Sequence, residues 1–83
     1  MARVSAKKQR EISTYVKLVI DRKVLDIAQY DDIIFEFVKS LYINVYDVAI
    51  SYDIRGGWST IYGIDIKVWH TYNRWTVYNV WWN

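Results

Sequence analysis

Cysteine and proline do not occur among the 83 residues, glycine occurs three times, and His70 is the only histidine. Without cysteine there is no disulfide framework, no thiolate zinc site and no thiol nucleophile. A lone histidine at a strand end reads as a half-buried packing residue rather than a metal ligand. No uncharged run exceeds nine residues, too short to span a bilayer. The opening Met1-Ala2-Arg3 leads into charge and not into an apolar stretch. That predicts no secretory signal and an intracellular, cytoplasmic protein with no membrane contact. Arg55-Gly56-Gly57 has no helix after its glycines, so it reads as a turn rather than a phosphate loop. No cofactor is expected.

What is present is apolar and aromatic. Hydrophobic residues make up 53% and aromatic residues 18%, which excludes a disordered chain. A 10.0 kDa chain makes one domain. By size scaling it buries only about 64% of its unfolded surface. Five Trp, eight Tyr and two Phe at ~150–250 Å² each need roughly 2,300–3,700 Å² of cover. One thin core cannot hide all of that, so association between copies is expected.

Charge is uneven. Arg3, Lys7, Lys8 and Arg10, with no acid among them, give residues 1–10 a charge of +4, while residues 11–83 carry seven basic and nine acidic side chains, or −2. Residues 1–10 therefore read as a basic arm and residues 11–83 as the folded domain. Arg3, Lys7, Lys8 and Arg10 are the candidate contacts to nucleic-acid phosphates, since a basic arm gains affinity by counterion release.

The segment Glu11–Ile20 alternates, with Ile12, Thr14, Val16, Leu18 and Ile20 on one face, and is rich in β-branched residues; it reads as a strand. A helix competes, because Ile12, Tyr15, Val16, Val19 and Ile20 also fit a 3.6-residue period. Asp26–Tyr42 reads as a helix on Ile27, Tyr30, Ile34, Phe37, Val38 and Leu41, with Asp26 as its cap. Asn44–Arg55, Trp58–Thr71 and Trp75–Trp82 read as strands of a meander turning at Gly56-Gly57 and near Tyr72-Asn73-Arg74. The predicted fold is α+β: one helix packed on a four-stranded, mostly antiparallel sheet in the order β-α-β-β-β.

Matching the faces of the first hairpin requires an odd loop. That pairs Val48 with Ile66, Ile50 with Ile64, and Tyr52 with Tyr62, and sets Asp47 opposite Lys67 and Val45 opposite Trp69. One helix covers one face of the sheet. Adjacent strand residues point to opposite faces, so Val45, Ile61 and Trp69 fall on the uncovered side. They are joined there by Trp75 and Trp81 or by Trp82, depending on the second turn. An apolar patch of that extent predicts an interface, first with a second copy of the chain to give a homodimer.

Asp47 and Asp53 on one strand and Asp65-Ile66-Lys67 on the next resemble the core of the PD-(D/E)xK metal-dependent nucleases. The resemblance implies Mg²⁺ held by Asp65 with Asp47 or Asp53, Lys67 activating water, and Glu36 as a further acid. The chain departs from that pattern in having no proline before either aspartate and in facing Asp47 with Lys67, which a cross-strand ion pair explains.

In its abundance of Ile, Tyr and Val, lack of cysteine, mild basicity and small size, the chain resembles small orphan proteins of viruses infecting thermophilic archaea. That resemblance implies a compact dimer acting on nucleic acid, or an inhibitor of a host protein, placed in the host cell. The expectation carried forward is a non-catalytic module that self-associates through an aromatic sheet face and binds nucleic acid through its basic N-terminus. A protein-binding inhibitor or adaptor and a Mg²⁺-dependent nuclease are the alternatives.

Overall fold

A computed structural model describes residues 5–57 and 59–82. It is α+β, with helices α1 (Ala6–Val19) and α2 (Ile27–Leu41), a 3₁₀ turn at Val24–Asp26, and strands β1 (Asp47–Arg55), β2 (Thr60–Thr71) and β3 (Arg74–Trp81). The sheet is an antiparallel meander ordered β1-β2-β3. Two helices therefore cover a three-stranded sheet, where one helix on four strands was expected. No helix among the described residues is long and apolar enough to cross a membrane.

The difference lies in residues 11–20, which continue a helix instead of forming a strand. Ser5 caps that helix, its Oγ accepting from the Lys8 amide at 3.3 Å. The cap leads into Ala6-Lys7-Lys8-Gln9-Arg10-Glu11, all strong helix formers. The β-branched stretch that follows extends this helix. Ile12, Val16 and Ile20 are buried at helical spacing, whereas Leu18, which a strand would have put in the core, is 81% exposed. The helix also runs unbroken across residues 10 and 11, so Lys7, Lys8 and Arg10 lie on α1 and not on an arm ahead of the fold.

Helix α2 buries Tyr30, Ile34 and Val38; Asp26 stands at its N-cap, but its side chain makes no capping bond. The helices meet where Tyr15 stacks on Phe37 with ring centroids 4.0 Å apart. Tyr52 donates to Asp31 Oδ1 at 2.5 Å and ties β1 to α2. The core is closed from the sheet side by Ile64, Ile66, Val68, Tyr78 and Val80, with Val48, Ile50, Tyr52 and Ile54 packed against it.

The β1–β2 register is two residues from the expected one: Val48 pairs with Val68, Ile50 with Ile66 and Tyr52 with Ile64. A shift of two keeps every side chain on its expected face. The loop spans residues 56–59, with Gly56 and Gly57 at φ +66° and +72°, a region that glycine adopts without steric cost. An even loop would mismatch the faces. A bulge that leaves Tyr62 unpaired, between the Asp53–Gly63 and Ile54–Ile61 pairs, restores them. The bulge also turns Ile61 inward, where it is fully buried.

Candidate functional site

One end of the molecule gathers the start of α1, the end of α2, the start of β1 and the β2–β3 turn. Its side chains form a cleft of about 250 Å³ lined by Ser5, Lys8, Tyr42, His70, Arg74, Thr76 and Tyr78. The helix places Lys8 here one turn inside its cap, with Nζ 4.8 Å from the centre of the Tyr42 ring. No acidic residue lies in the first turn of α1, so the positive end of its dipole is not offset. Arg74 opens β3 and is exposed.

The polar floor is tightly partnered. Thr76 is 1% exposed, and its hydroxyl lies 2.8 Å from His70 Nε2. His70 is the extra residue of a second irregularity, between the Trp69–Trp75 and Thr71–Arg74 pairs, and its ring lies against Tyr42 with centroids 5.1 Å apart. Tyr42 and Tyr78 share a hydrogen bond through their hydroxyls. Burial, then that bond, pushes the Tyr42 hydroxyl far above the usual tyrosine range. Burial lowers His70 below its usual 6.5, and Arg74 and Lys8 add to the effect. Around the cleft, Ile43, Tyr46 and Tyr72 project at 99%, 66% and 75% exposure.

Of the expected phosphate contacts, Lys8 lines the cleft and Lys7 stands exposed on the same helical turn. Arg10 instead lines a groove between the helices with Glu11, Thr14, Tyr15, Leu18 and Phe37. Arg3 lies outside the described residues. Arg74, Tyr42, Thr76 and Tyr78 were not singled out from the sequence; their meeting depends on how α1 crosses β3, to which Gln9 Nε2 also donates, at the Asn79 carbonyl (2.8 Å).

The uncovered sheet face holds part of the expected interface. Trp69 and Trp75 lie side by side with centroids 4.8 Å apart, and Lys67 Nζ sits 4.4 and 4.5 Å from them. Trp81, 45% exposed, lies over Gly63, where a Cβ would stand 2.5 Å from its ring. Three residues of that expectation lie elsewhere. Ile61 is in the core because of the bulge. Val45 precedes β1 and packs against the core, since Asp47 and not Val45 is opposite Trp69. Trp82 also packs on the core, under the Arg22 guanidinium at 5.2 Å.

Asp47, Asp65 and Lys67 share the outer face but do not converge. Asp47 pairs with Trp69 and Asp65 with Ser51, four residues apart along β2 or about 13 Å at the strand rise. Asp47 accepts from the Val48 amide at 2.8 Å. Lys67 faces Ala49 and turns to the two indoles, so the expected Asp47–Lys67 pair does not form. Asp53 is one row from Asp65, nearer than the expected register had it, but it pairs with Arg55 at 3.1 Å. Glu36 is exposed on α2, which packs on the other face of the sheet. Among the described residues no three His, Cys, Asp or Glu side chains gather as a metal-holding group.

No protein-family model, curated protein or solved structure matches the chain.

Proposed function

We propose that this protein is a binding module that engages nucleic acid through the basic end of the molecule and pairs with a second copy through its outer sheet face. The observation that carries the first half is the meeting of Lys8 and Arg74 in one cleft, with Lys7 exposed next to Lys8 on α1 and the exposed Tyr72 in the turn that leads into Arg74. Cations track phosphates and exposed rings stack on bases, the combination that single strands require. No carboxylate lines the cleft at this end. The far end, by contrast, carries Asp21, Asp26 and Asp53 against Arg22, Lys23 and Arg55, which balance. A strand approaching the molecule is thus steered to the end with the exposed tyrosines.

The second half rests on the outer face, where the indoles of Trp69, Trp75 and Trp81 flank Lys67 and Asp65. A two-fold interface must be self-complementary, and this face carries charge of both signs between its apolar anchors.

The test is a binding titration with single-stranded oligonucleotide at two salt concentrations. Three phosphate contacts give a log–log slope of about −2.1, so affinity falls roughly 20-fold between 50 and 200 mM salt. The variant Lys7→Gln/Lys8→Gln/Arg74→Gln flattens that slope. Replacement is the right tool here, because removing residues 1–10 would cut into α1. Binding that ignores both salt and these replacements sinks the reading. Capture of a protein ligand that depends on Trp69 favours the adaptor alternative, and Mg²⁺-dependent cleavage lost in Asp65→Ala favours the nuclease. Light scattering tests the pairing: a mass that stays near 10.0 kDa at high concentration removes the second copy.

A further inference from the structure

We infer that the cleft between the start of α1 and the start of β3 is a receptor for a phosphate monoester, the terminal phosphate of the bound strand. The inference rests on the nucleic-acid reading and specifies which part of the strand the cleft takes.

Charge selects the ligand. The lining contains Lys8 from α1 and Arg74 from β3, and no carboxylate. Tyr42 beyond α2, with Thr76 and Tyr78 from β3, supplies the remaining polar groups that face His70. Two fixed positive charges flank an imidazole whose protonation they oppose. An internal phosphodiester brings one negative charge, whereas a monoester brings about −1.5 to −2 at neutral pH. The dianion balances both cations and offsets the repulsion that they add to burial in lowering the proton affinity of His70.

Size points the same way. The cleft, at about 250 Å³, is smaller than the roughly 300–1,000 Å³ that whole small molecules occupy. It has ample room for a phosphoryl group. The exposed rings of Tyr46 and Tyr72 stand at that same end of the molecule.

The donors are of the right kind. Arg74 offers a guanidinium fork that matches phosphate oxygens, and Lys8 offers a compact ammonium. The Lys8 amide is taken by Ser5 Oγ, but the cleft still lies at the start of α1, the positive end of a 14-residue helix. Ser5 contributes its hydroxyl at the rim.

His70 is the only histidine, so its ring signal in a proton–carbon NMR spectrum is unambiguous. The experiment titrates the protein with pH in chloride and in inorganic phosphate at matched ionic strength. In parallel it measures binding of one single-stranded oligonucleotide carrying a 5′-phosphate, a 3′-phosphate or hydroxyls at both ends. The expected result is a His70 midpoint raised by phosphate and one phosphorylated oligonucleotide bound roughly tenfold more tightly than the hydroxyl form. Both effects should disappear in Arg74→Gln and in Lys8→Gln. Arg74 is exposed and Lys8→Gln keeps the backbone amide that donates to Ser5, so the fold tolerates either change, which the dispersion of the same spectra verifies.

If all three oligonucleotides bind alike and phosphate leaves His70 unmoved, the receptor is refuted while the nucleic-acid reading stands. If no oligonucleotide binds but phosphate still raises the His70 midpoint through Arg74, the nucleic-acid reading fails. The cleft is then supported as a site for a phosphorylated small molecule.

Discussion

Arg22 has the left-handed backbone angle φ +65°, rare for a residue with a Cβ. It is held there from both sides of the chain. Its carbonyl accepts from the Ile61 amide at 3.0 Å, its Nε donates to the Ile61 carbonyl at 2.8 Å, and its guanidinium lies over Tyr62 and Trp82. The backbone carbonyl and the side chain of this one residue therefore partner both backbone groups of Ile61, beside the β2 bulge. Arg22→Ala removes the side chain and keeps the strain; Arg22→Gly removes both. Urea denaturation should rank the wild type first, then Gly, then Ala, with Gly above Ala by about 1 kcal/mol. Equal stability of the two variants would show that the left-handed angle costs nothing. His70 gives a pH signature at the same scale. Its proton affinity is lower folded than unfolded, so its contribution is fully present above 6.5 and is lost as pH falls through the folded value. His70→Gln should flatten the loss of stability in that window, read from unfolding midpoints across pH.

At the scale of elements, α2 and the three strands were legible because their buried residues follow a single period each. Tyr30, Ile34 and Val38 step by four, and β1 through β3 alternate. α1 was not legible from residues 11–20 alone, where Ile12, Val16 and Ile20 satisfy both a strand and a helix period. What decides it is the capped run Ser5–Glu11 ahead of them, rich in helix formers as well as in charge. The outer position of Trp69, Trp75 and Trp81 followed from alternation. The inward turn of Ile61 did not, because one unpaired residue, Tyr62, reverses the parity of what precedes it in β2. The cleft was invisible for a similar reason: its residues come from four elements, and no spacing in the sequence links Lys8, Tyr42, His70 and Arg74. The link between α2 and β1 has its own signature. Burial and the bond to Asp31 raise the Tyr52 hydroxyl well above 10.0, as burial and Tyr78 raise Tyr42. The unfolded chain ionises these tyrosines first, so stability is complete below pH 10 and falls as pH rises beyond it. Tyr52→Phe should cost about 1–2 kcal/mol at neutral pH and show a shallower decline in alkali, as measured by denaturant melts at pH 8 and above 10.

For the molecule as a whole, the outer face has a grain. Along β2 it reads Trp69, Lys67, Asp65 and Gly63, one residue per row. Two copies can meet face to face with their strands running the same way or opposite ways. In the first arrangement Lys67 of one copy meets Lys67 of the other; in the second it meets Asp65. In the proposed pair, attraction would select the second, which would send the two proposed phosphate-binding tips to opposite poles. Such a dimer cannot grip one short strand twice. On the proposed reading it would act as a tether, and mixing it with two oligonucleotides carrying different fluorophores should bring both dyes into a single particle. Exchanging Lys67 and Asp65 with each other should preserve that bridging, whereas Asp65→Lys alone should abolish it.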